Sequence, residues 1–337
     1  MVKIFIFKDE QVFIVVSFGV SLPTYCSDEF GPGPTLDQLR EYVETCERLG
    51  FTHFWHVDRL MAKALPFYNT SFYEPLITLA SIIPFIKKSR IGTSVIVVPY
   101  RNPLILAKQL ATLDRISNGK LTIGFGRGYF KSELEVCNIG EKDRVPIFNE
   151  AVEIIKLLLT ENMVTYEGKY WKLKDFSLEP RPIQKPRPPI LIAGGGGRIH
   201  FAEVNEKLFR RVATLGDGWI AKSDTSIKEM EATIKFLKSY LKSIGKDPNN
   251  FMLAHHTWVF VVGKSGTMEE AKRRLKKLSL RPLEELLSSY IIGNPKEVID
   301  RVKAEINAGI QHFIVIPIGF DYELLHFFSD EVMPLFS

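Results

Sequence analysis

The feature that most constrains the fold of this 337-residue chain is a regular alternation of short apolar segments with longer amphipathic ones. Segment 90–98 (RIGTSVIVV) is an almost continuous apolar run, typical of a parallel strand that is buried on both faces. Segment 35–49 has helical periodicity, with Thr35 as its N-cap and Gly50 as its stop. The pattern recurs eight times, so it predicts an α/β fold of the (β/α)8 class, a TIM barrel with insertions, rather than an open doubly wound sheet.

The predicted strands are 15–22, 53–57, 90–98, 121–125, 190–193, 218–221, 253–262 and 312–317. The predicted helices are 35–49, 73–85, 104–116, 147–159, 203–215, 227–244, 268–280, 295–308 and 322–328. The alternation of strands and helices is interrupted once, at 163–189. There VTYEG and KYWKL meet around Gly168, which predicts a β-hairpin before a proline-rich stretch. We interpret 163–189 as an insertion in one barrel domain, 14–337, which follows an N-terminal extension, 1–13.

Composition excludes several classes of protein. Lys and Arg number 44 and Asp and Glu 39, a balance of +5 without long runs of one sign, so we expect no nucleic-acid partner. No apolar stretch reaches the ~18 residues of a membrane span, and no signal peptide is recognisable, which predicts a cytoplasmic chain without membrane contact. The three cysteines are too few and too widely spaced for a disulfide framework. No HExxH motif or other zinc spacing occurs, so we expect no metal.

Two glycine-rich loops follow predicted strands, at the barrel edge where active sites lie. The first, GFGRGYF at 124–130, has the spacing G-x-G-x-G and does not match the dinucleotide fingerprint. The second, IAGGGGR at 192–198, lets backbone N–H groups approach a phosphate closely. A single glycine in such a place usually serves only a tight turn. Two such loops, each with an arginine, favour a phosphate-bearing cofactor.

Four segments carry a resemblance to a known family: GFTHFWHVDRL (50–60), SRIGTSVIVVPYRNPLILAKQLATLDRISNGKLTIGFGRGY (89–129), EGKYWKL with LEPRPIQKPRPPILIAGGGG (within 167–197) and IIGNPKEVIDRV (291–302). The chain resembles the bacterial-luciferase-like family of flavin- and deazaflavin-dependent oxidoreductases. The resemblance implies a (β/α)8 barrel with insertions that binds FMN or coenzyme F420 at the carboxyl ends of its strands. It also implies a homodimer and a site without metal.

The same resemblance implies roles for individual residues. Arg127 matches a phosphate-binding arginine of relatives, the alternative being a surface ion pair. Ser94 and Val95 match a position where relatives often have a non-proline cis peptide against the flavin ring, the alternative being an ordinary strand. The full set of predicted cofactor-binding residues is Ser94, Val95, Arg127, Gly128, Gly194, Gly195, Gly196 and Gly197.

The pair Asp58-Arg59 is where this chain departs from the family pattern. Many relatives have an acid followed by a histidine with an acid/base role, but Arg59 stays protonated and cannot accept a proton. Either the proton shuttle lies elsewhere, or Arg59 fixes the charge of a substrate or anion. Asp58 is either a general base or the ion-pair partner of Arg59. We name both as candidate catalytic residues.

Aromatic and histidine side chains are the remaining candidates. Four aromatic residues are predicted to line an apolar substrate pocket, although such residues more often belong to a core: Trp55, Tyr100, Tyr129 and Phe130. His255 and His256 are consecutive in a predicted strand, so at most one of them faces the barrel centre.

Three functional hypotheses follow. The leading one is a monooxygenase that uses reduced FMN and O2 on a small, largely apolar organic substrate. Because no nicotinamide fingerprint occurs, a separate flavin reductase would supply the reduced FMN. The second is an F420-dependent dehydrogenase or reductase that transfers a hydride without oxygen. The third is a non-catalytic flavin-binding subunit, with which Arg59 is compatible.

Overall fold

The computed structural model describes residues 16–26, 31–60, 70–195 and 204–336. Eight parallel strands pair in chain order, and the eighth pairs with the first, so the sheet closes into a ring. Helices lie between the strands on the outside. This arrangement confirms the predicted (β/α)8 barrel. The barrel strands, β1 to β8, are Ser17–Ser21, His53–His56, Arg90–Thr93, Leu121–Gly126, Ile190–Gly194, Gly218–Ala221, Met252–Val261 and His312–Pro317.

The helices of the described residues match most of the predicted segments to within a few residues. Helices α1 to α11 are Leu36–Arg48, Pro75–Ile82, Pro103–Ile116, Lys131–Val136, Arg144–Thr160, Glu206–Leu215, Ile227–Ser243, Met268–Leu278, Leu283–Ser289, Pro295–Asn307 and Tyr322–Phe327. Thr35 caps α1, as predicted, by accepting the N–H of Gln38. No helix of the described residues is long and apolar enough to cross a membrane.

Two predicted elements are divided in the structure. The predicted strand 90–98 ends at Thr93, and a short strand at Ile96–Val97 then pairs with β4. The predicted helix 268–280 ends at Leu278, and a second helix, α9, begins after Pro282. Proline cannot donate the backbone hydrogen bond that would continue the first helix, which accounts for the second division.

The insertion forms the predicted hairpin from two antiparallel strands, Val164–Glu167 and Lys172–Phe176. The buried carboxylate of Glu150, on α5, accepts backbone N–H groups from the tip of the hairpin: Lys169, Tyr170 and Trp171. Asp143, the residue before α5, accepts the hydroxyl of Tyr170. The hairpin tip is thereby fastened to the first half of α5.

The interior of the barrel is filled in layers by side chains from alternate strands, as is typical of this fold. One apolar layer contains Trp55, Ile220 and Ile314, all with 1% exposure or less. Strand β3 has Gly92 beside Trp55, where an added Cβ would lie 2.5 Å from the indole ring. Glycine at that position therefore makes room for the tryptophan.

Below this layer, toward the amino ends of the strands, lies His312. Its Nε2 accepts the Trp55 indole N–H at 2.9 Å, which places the imidazole proton on Nδ1, where it is donated to the hydroxyl of Ser17 at 2.7 Å. Burial lowers the pKa of His312 to about 3, so this imidazole is neutral in the folded chain at neutral pH. Burial likewise lowers the pKa of His56 to about 4.

These buried imidazoles predict a loss of stability in mild acid. In the unfolded chain they take up protons as the pH falls through their ordinary value of 6.5, whereas the folded chain holds them neutral until the pH approaches their lowered pKa values. As the pH falls from 6.5 to about 5.5, each of these histidines should therefore lower the free energy of unfolding by about 1 kcal/mol. Urea unfolding at several pH values measures the effect. His312→Asn, which retains an acceptor for Trp55, should reduce the pH dependence, and an unchanged dependence would contradict the assignment.

Candidate functional site

The two glycine-rich loops lie side by side at the carboxyl edge of the barrel. Arg127 directly follows β4 and Gly194 ends β5, and these two strands are paired, with Phe125 opposite Ile192. Asp58 follows β2 at the same edge, where its carboxylate accepts the N–H of Val97 at 2.8 Å. The loops and the Asp58 segment therefore share one rim.

Three arginines are carried by elements that adjoin these loops. Arg127 follows β4, Arg144 begins α5 and Arg211 lies on α6. Burial lowers the pKa of Arg127, and the positive charges of Arg144 and Arg211 lower it further. Like charges repel one another at this rim, and an anion bound there would relieve that repulsion.

The cluster has little counter-charge from the protein. Within the described residues, Arg127 and Arg211 have no hydrogen-bond or ion-pair partner. Arg144 donates to the carbonyl of Gly128 at 3.2 Å, while its Nε is buried and unpartnered. Sequence reasoning identified only Arg127, because the other two come from distant helices and no local motif marks them.

The glycines of these loops also have conformational reasons to be glycine. Gly128 and Gly195 adopt φ of 70° and 86°, in the left-handed region that favours glycine. The carbonyl of Gly194 accepts the indole N–H of Trp219 at 2.8 Å. Contact of Gly128, Gly194 and Gly195 with a phosphate stays a prediction, and Gly196 and Gly197 lie outside the described residues.

The non-proline cis peptide is confirmed between Ser94 and Val95, directly after β3. Val95 packs against Gly126 of β4, where an added Cβ would approach Val95 Cγ2 to 2.5 Å. Ser94 is 3% exposed, and its hydroxyl oxygen is buried without a hydrogen-bond partner in the described part of the chain. An unpartnered buried hydroxyl costs free energy unless a ligand completes it. That observation makes Ser94 a candidate contact for a bound ring.

The ion-pair partner of Asp58 is Arg101, which corrects the alternative that Asp58 pairs with Arg59. Arg101 donates to both carboxylate oxygens, at 2.5 Å and 3.1 Å. Burial raises the pKa of Asp58, and the charge of Arg101 opposes that shift. Since Asp58 also accepts the N–H of Val97, its carboxylate fastens the β2 loop to the segment after β3.

Arg59 is paired instead with Glu133 of α4, with Nε and Oε1 3.6 Å apart. Its guanidinium carbon also lies 4.0 Å from the ring centroid of Phe130, a cation–π contact. Glu133 is 1% exposed and accepts the hydroxyl of Tyr100 at 2.9 Å and the N–H of Leu60 at 3.1 Å. Sequence reasoning missed Glu133, whose only signal was its position in the segment that follows β4.

Three of the four predicted pocket aromatics gather around this pair. Tyr100 and Phe130 contact the Arg59–Glu133 pair, and Tyr129, 57% exposed, has its ring centroid 3.9 Å from that of Phe130. Lys222, just after β6, has its Nζ 5.5 Å from the Tyr129 ring. Trp55 lies apart from these three, fully buried in the interior layer below the mouth.

Comparison with known proteins gives consistent matches along the chain. Residues 16–281 match the family model described as luciferase-like monooxygenase. An F420-dependent glucose-6-phosphate dehydrogenase of Amycolatopsis mediterranei is 25% identical, with 91% of this chain and 96% of that protein covered. The oxygenase component of a flavin-dependent trigonelline monooxygenase of Acinetobacter baylyi is also 25% identical, with 92% of each covered.

Solved structures resemble the fold as a whole. An F420-dependent secondary alcohol dehydrogenase, in complex with an F420–acetone adduct, superimposes with a TM-score of 0.79 at 19% identity and covers 96% of this chain and 99% of its own. A monooxygenase from Streptomyces bottropensis gives a TM-score of 0.77 at 21% identity and covers 95% of this chain and 100% of its own. At these identities the likeness is one of fold.

Asp58→Ala should cost about 3 kcal/mol of unfolding free energy, because it leaves Arg101 without its main partner and the N–H of Val97 without an acceptor. Urea unfolding measures the loss. The matched control is Glu74→Gln, which removes the other carboxylate on Arg101 at a more exposed position and should change stability by less than about 0.5 kcal/mol. Unchanged stability of Asp58→Ala would refute the role of Asp58 in fastening the β2 loop to the segment after β3.

Proposed function

This chain belongs to the luciferase-like monooxygenase family, whose members are oxidoreductases, and on that premise we propose that it uses reduced FMN and O2 to oxygenate a small organic substrate. The observation that carries the choice of FMN is the cluster of Arg127, Arg144 and Arg211. Three guanidinium groups with few acceptors among the described residues would suit a strongly charged anion.

The charge of the anion separates the two cofactors of the family. The terminal phosphate of FMN is a monoester, with a charge of about −1.5 to −2 at neutral pH. The phosphate of F420 is a diester, with a single negative charge. If the arginines meet only the phosphate, the monoester relieves their repulsion more than the diester does, and on this ground we prefer FMN.

The described residues fit the cofactor in a second respect, because the hydroxyl of Ser94 and Nε of Arg144 are buried and have no hydrogen-bond partner among these residues. The arginines would hold the phosphate at the β4–β5 rim, and the segment Ser94–Val95 would contact the ring. Reduced FMN supplies the activation of O2. The chain orients the ring and keeps water from the mouth, where Tyr100 and Phe130 pack around the Arg59–Glu133 pair.

Arg59 has no part in proton transfer in this proposal. A guanidinium stays protonated at any useful pH, and the ion pair with Glu133 and the contact with Phe130 give Arg59 a structural role. A separate flavin reductase as the source of reduced FMN, and a homodimer as the assembly, stay predictions of this proposal.

The second candidate is hydride transfer with F420, without oxygen. It is favoured by the names of the F420-dependent glucose-6-phosphate dehydrogenase and of the F420-dependent secondary alcohol dehydrogenase. The name of the trigonelline monooxygenase supports the first candidate to the same degree. The third candidate, a non-catalytic flavin-binding subunit, rests on the absence of the usual histidine at Arg59.

The test is to titrate the purified chain with FMN, riboflavin and F420. We expect FMN to bind about 100-fold more tightly than riboflavin, because riboflavin lacks the phosphate that the arginines recognise. Arg211→Ala should weaken FMN binding about tenfold and leave riboflavin binding unchanged. Arg210→Ala is the matched control, since Arg210 lies on the same helix but pairs with Glu206. It should leave both affinities unchanged.

Oxygen consumption with reduced FMN completes the test. Tight FMN binding with O2-dependent turnover supports the leading proposal. F420 binding tighter than FMN binding, with hydride transfer under anaerobic conditions, would replace it with the second candidate. Binding without turnover of either cofactor would favour the third.

A further inference from the structure

An apolar cleft of about 180 Å³ lies at the amino ends of the strands, on the side of the barrel opposite the mouth. Four isoleucines line it, from the segment after α2, from β3 and from the end of α3: Ile83, Ile86, Ile91 and Ile116. Ile116 is 53% exposed, so apolar surface at this cleft is in contact with water. We call this feature the isoleucine cleft.

The size and lining of the isoleucine cleft define what could fill it. An apolar protein cavity of about 150 Å³ is large enough to bind benzene, so a cleft of this volume has room for one phenyl ring. Ser117 also lines the cleft, but its hydroxyl already donates to the carbonyl of Asp114 at 3.1 Å. The cleft therefore suits an apolar side chain better than a polar one.

The edge of the cleft is basic. Lys120 lines it and donates from Nζ to the carbonyl of Lys87 at 2.6 Å, and Lys87 and Lys88 are both exposed. The carboxylate of Glu47 lies at the same edge, where it accepts the backbone N–H groups of residues 87–89. Three lysines at one edge favour an occupant that has a carboxylate close to its apolar group.

The amino-terminal segment of the chain, 1–15, has this chemistry and is within reach. It lies outside the described residues, and it joins the barrel at the amino end of β1, the same end at which the cleft lies. Its sequence contains the apolar run IFIF at 4–7, followed by Lys8, Asp9 and Glu10. Only β2 separates β1 from β3, a distance of about 10 Å at the usual strand spacing. The nine residues from Phe7 to Val16 can span up to ~30 Å.

We propose that segment 4–10 docks on its own barrel, with the ring of Phe7 in the isoleucine cleft and the carboxylate of Asp9 at the lysines. In an extended segment, residues two apart share a face, so Phe7 and Asp9 point to the same side. Phe7 is preferred to Phe5, because Lys120 lines the cleft itself and its carboxylate partner must therefore follow the ring closely. Docking removes the ring and Ile116 from water. The inference is independent of the cofactor and of the proposed function.

Disulfide trapping in the full chain tests the proposal. The background carries Cys26→Ser and Cys137→Ser, while the fully buried Cys46 is retained. Phe7→Cys is combined with Ile116→Cys, or with Ile244→Cys as the matched control. Ile244 is also an exposed isoleucine at the carboxyl end of a helix, α7, and it precedes β7, which is two strands from β1 in the other direction around the ring.

Under mild oxidation, the pair with Ile116→Cys should form an intramolecular disulfide at least about tenfold faster than the control pair, because docking raises the local concentration of the thiol at position 7. Equal rates in the two pairs would show that the segment only sweeps the amino end, and would overturn the proposal. A disulfide between two chains would overturn it as well, by assigning the cleft to a second copy. Failure of both pairs to form a disulfide would also contradict it.

Stability provides a second readout that does not depend on cysteine chemistry. Phe7→Ser should lower the urea midpoint of the unmodified chain, because a ring leaves the cleft. The same substitution should have little effect in Ile116→Glu, where a carboxylate already disfavours docking at an exposed position. Equal effects of Phe7→Ser in the two backgrounds would contradict the contact. FMN binding at the arginine cluster is measured separately, and its outcome does not depend on these results.

Discussion

Closure of the parallel sheet is the constraint on which the rest of this molecule depends. Because β8 pairs with β1 and every strand runs in the same direction, the carboxyl ends of all eight strands meet at one rim. Loops that are far apart in the chain thereby become neighbours, as the pairing of β4 with β5 shows for the two glycine-rich loops. The candidate functional residues are therefore concentrated at one end of the barrel.

At that rim, charges are arranged in two contrasting ways. The carboxylates of Asp58 and Glu133 are buried and paired with arginines, and these contacts hold loops in place. Arg127, Arg144 and Arg211 are gathered with almost no protein acceptor, which is an unfavourable arrangement for the chain alone. Among the described residues this cluster of like charge differs from the paired carboxylates nearby, and for that reason we propose it as the anion site.

The barrel interior shows a similar contrast between satisfied and unsatisfied polar groups. His312, near the amino ends of the strands, has both ring nitrogens in hydrogen bonds, to Trp55 and to Ser17. His256, at the level of the mouth, has a buried nitrogen without a partner. The two histidines have the same side chain and the same low pKa. Their surroundings, rather than their chemistry, decide which of the two has its hydrogen-bonding capacity used inside the barrel.

Much of the fold could be predicted from the sequence, because it depends on local periodicity. Apolar runs and capping residues such as Thr35 predict strands and helices, and the eightfold repeat of these units predicts the closed barrel. The position of the cis peptide at Ser94–Val95 came from family resemblance, and its presence is confirmed. Arg127 was also identified from the family resemblance. The glycine-rich loop that surrounds it was a second signal in the sequence.

Side-chain partners were decided only by the tertiary structure. Asp58 is adjacent to Arg59 in sequence, yet it pairs with Arg101, and Arg59 pairs with Glu133. Adjacent residues on an extended segment point in different directions, whereas the closed ring brings distant loops together. For the same reason Arg144 and Arg211, carried on helices α5 and α6, joined the site without any local signal. The sequence by itself determined the order and type of the elements, since these follow from short-range patterns. Which charges meet at the rim, and which polar atoms find hydrogen-bond partners, depended on packing over the whole barrel.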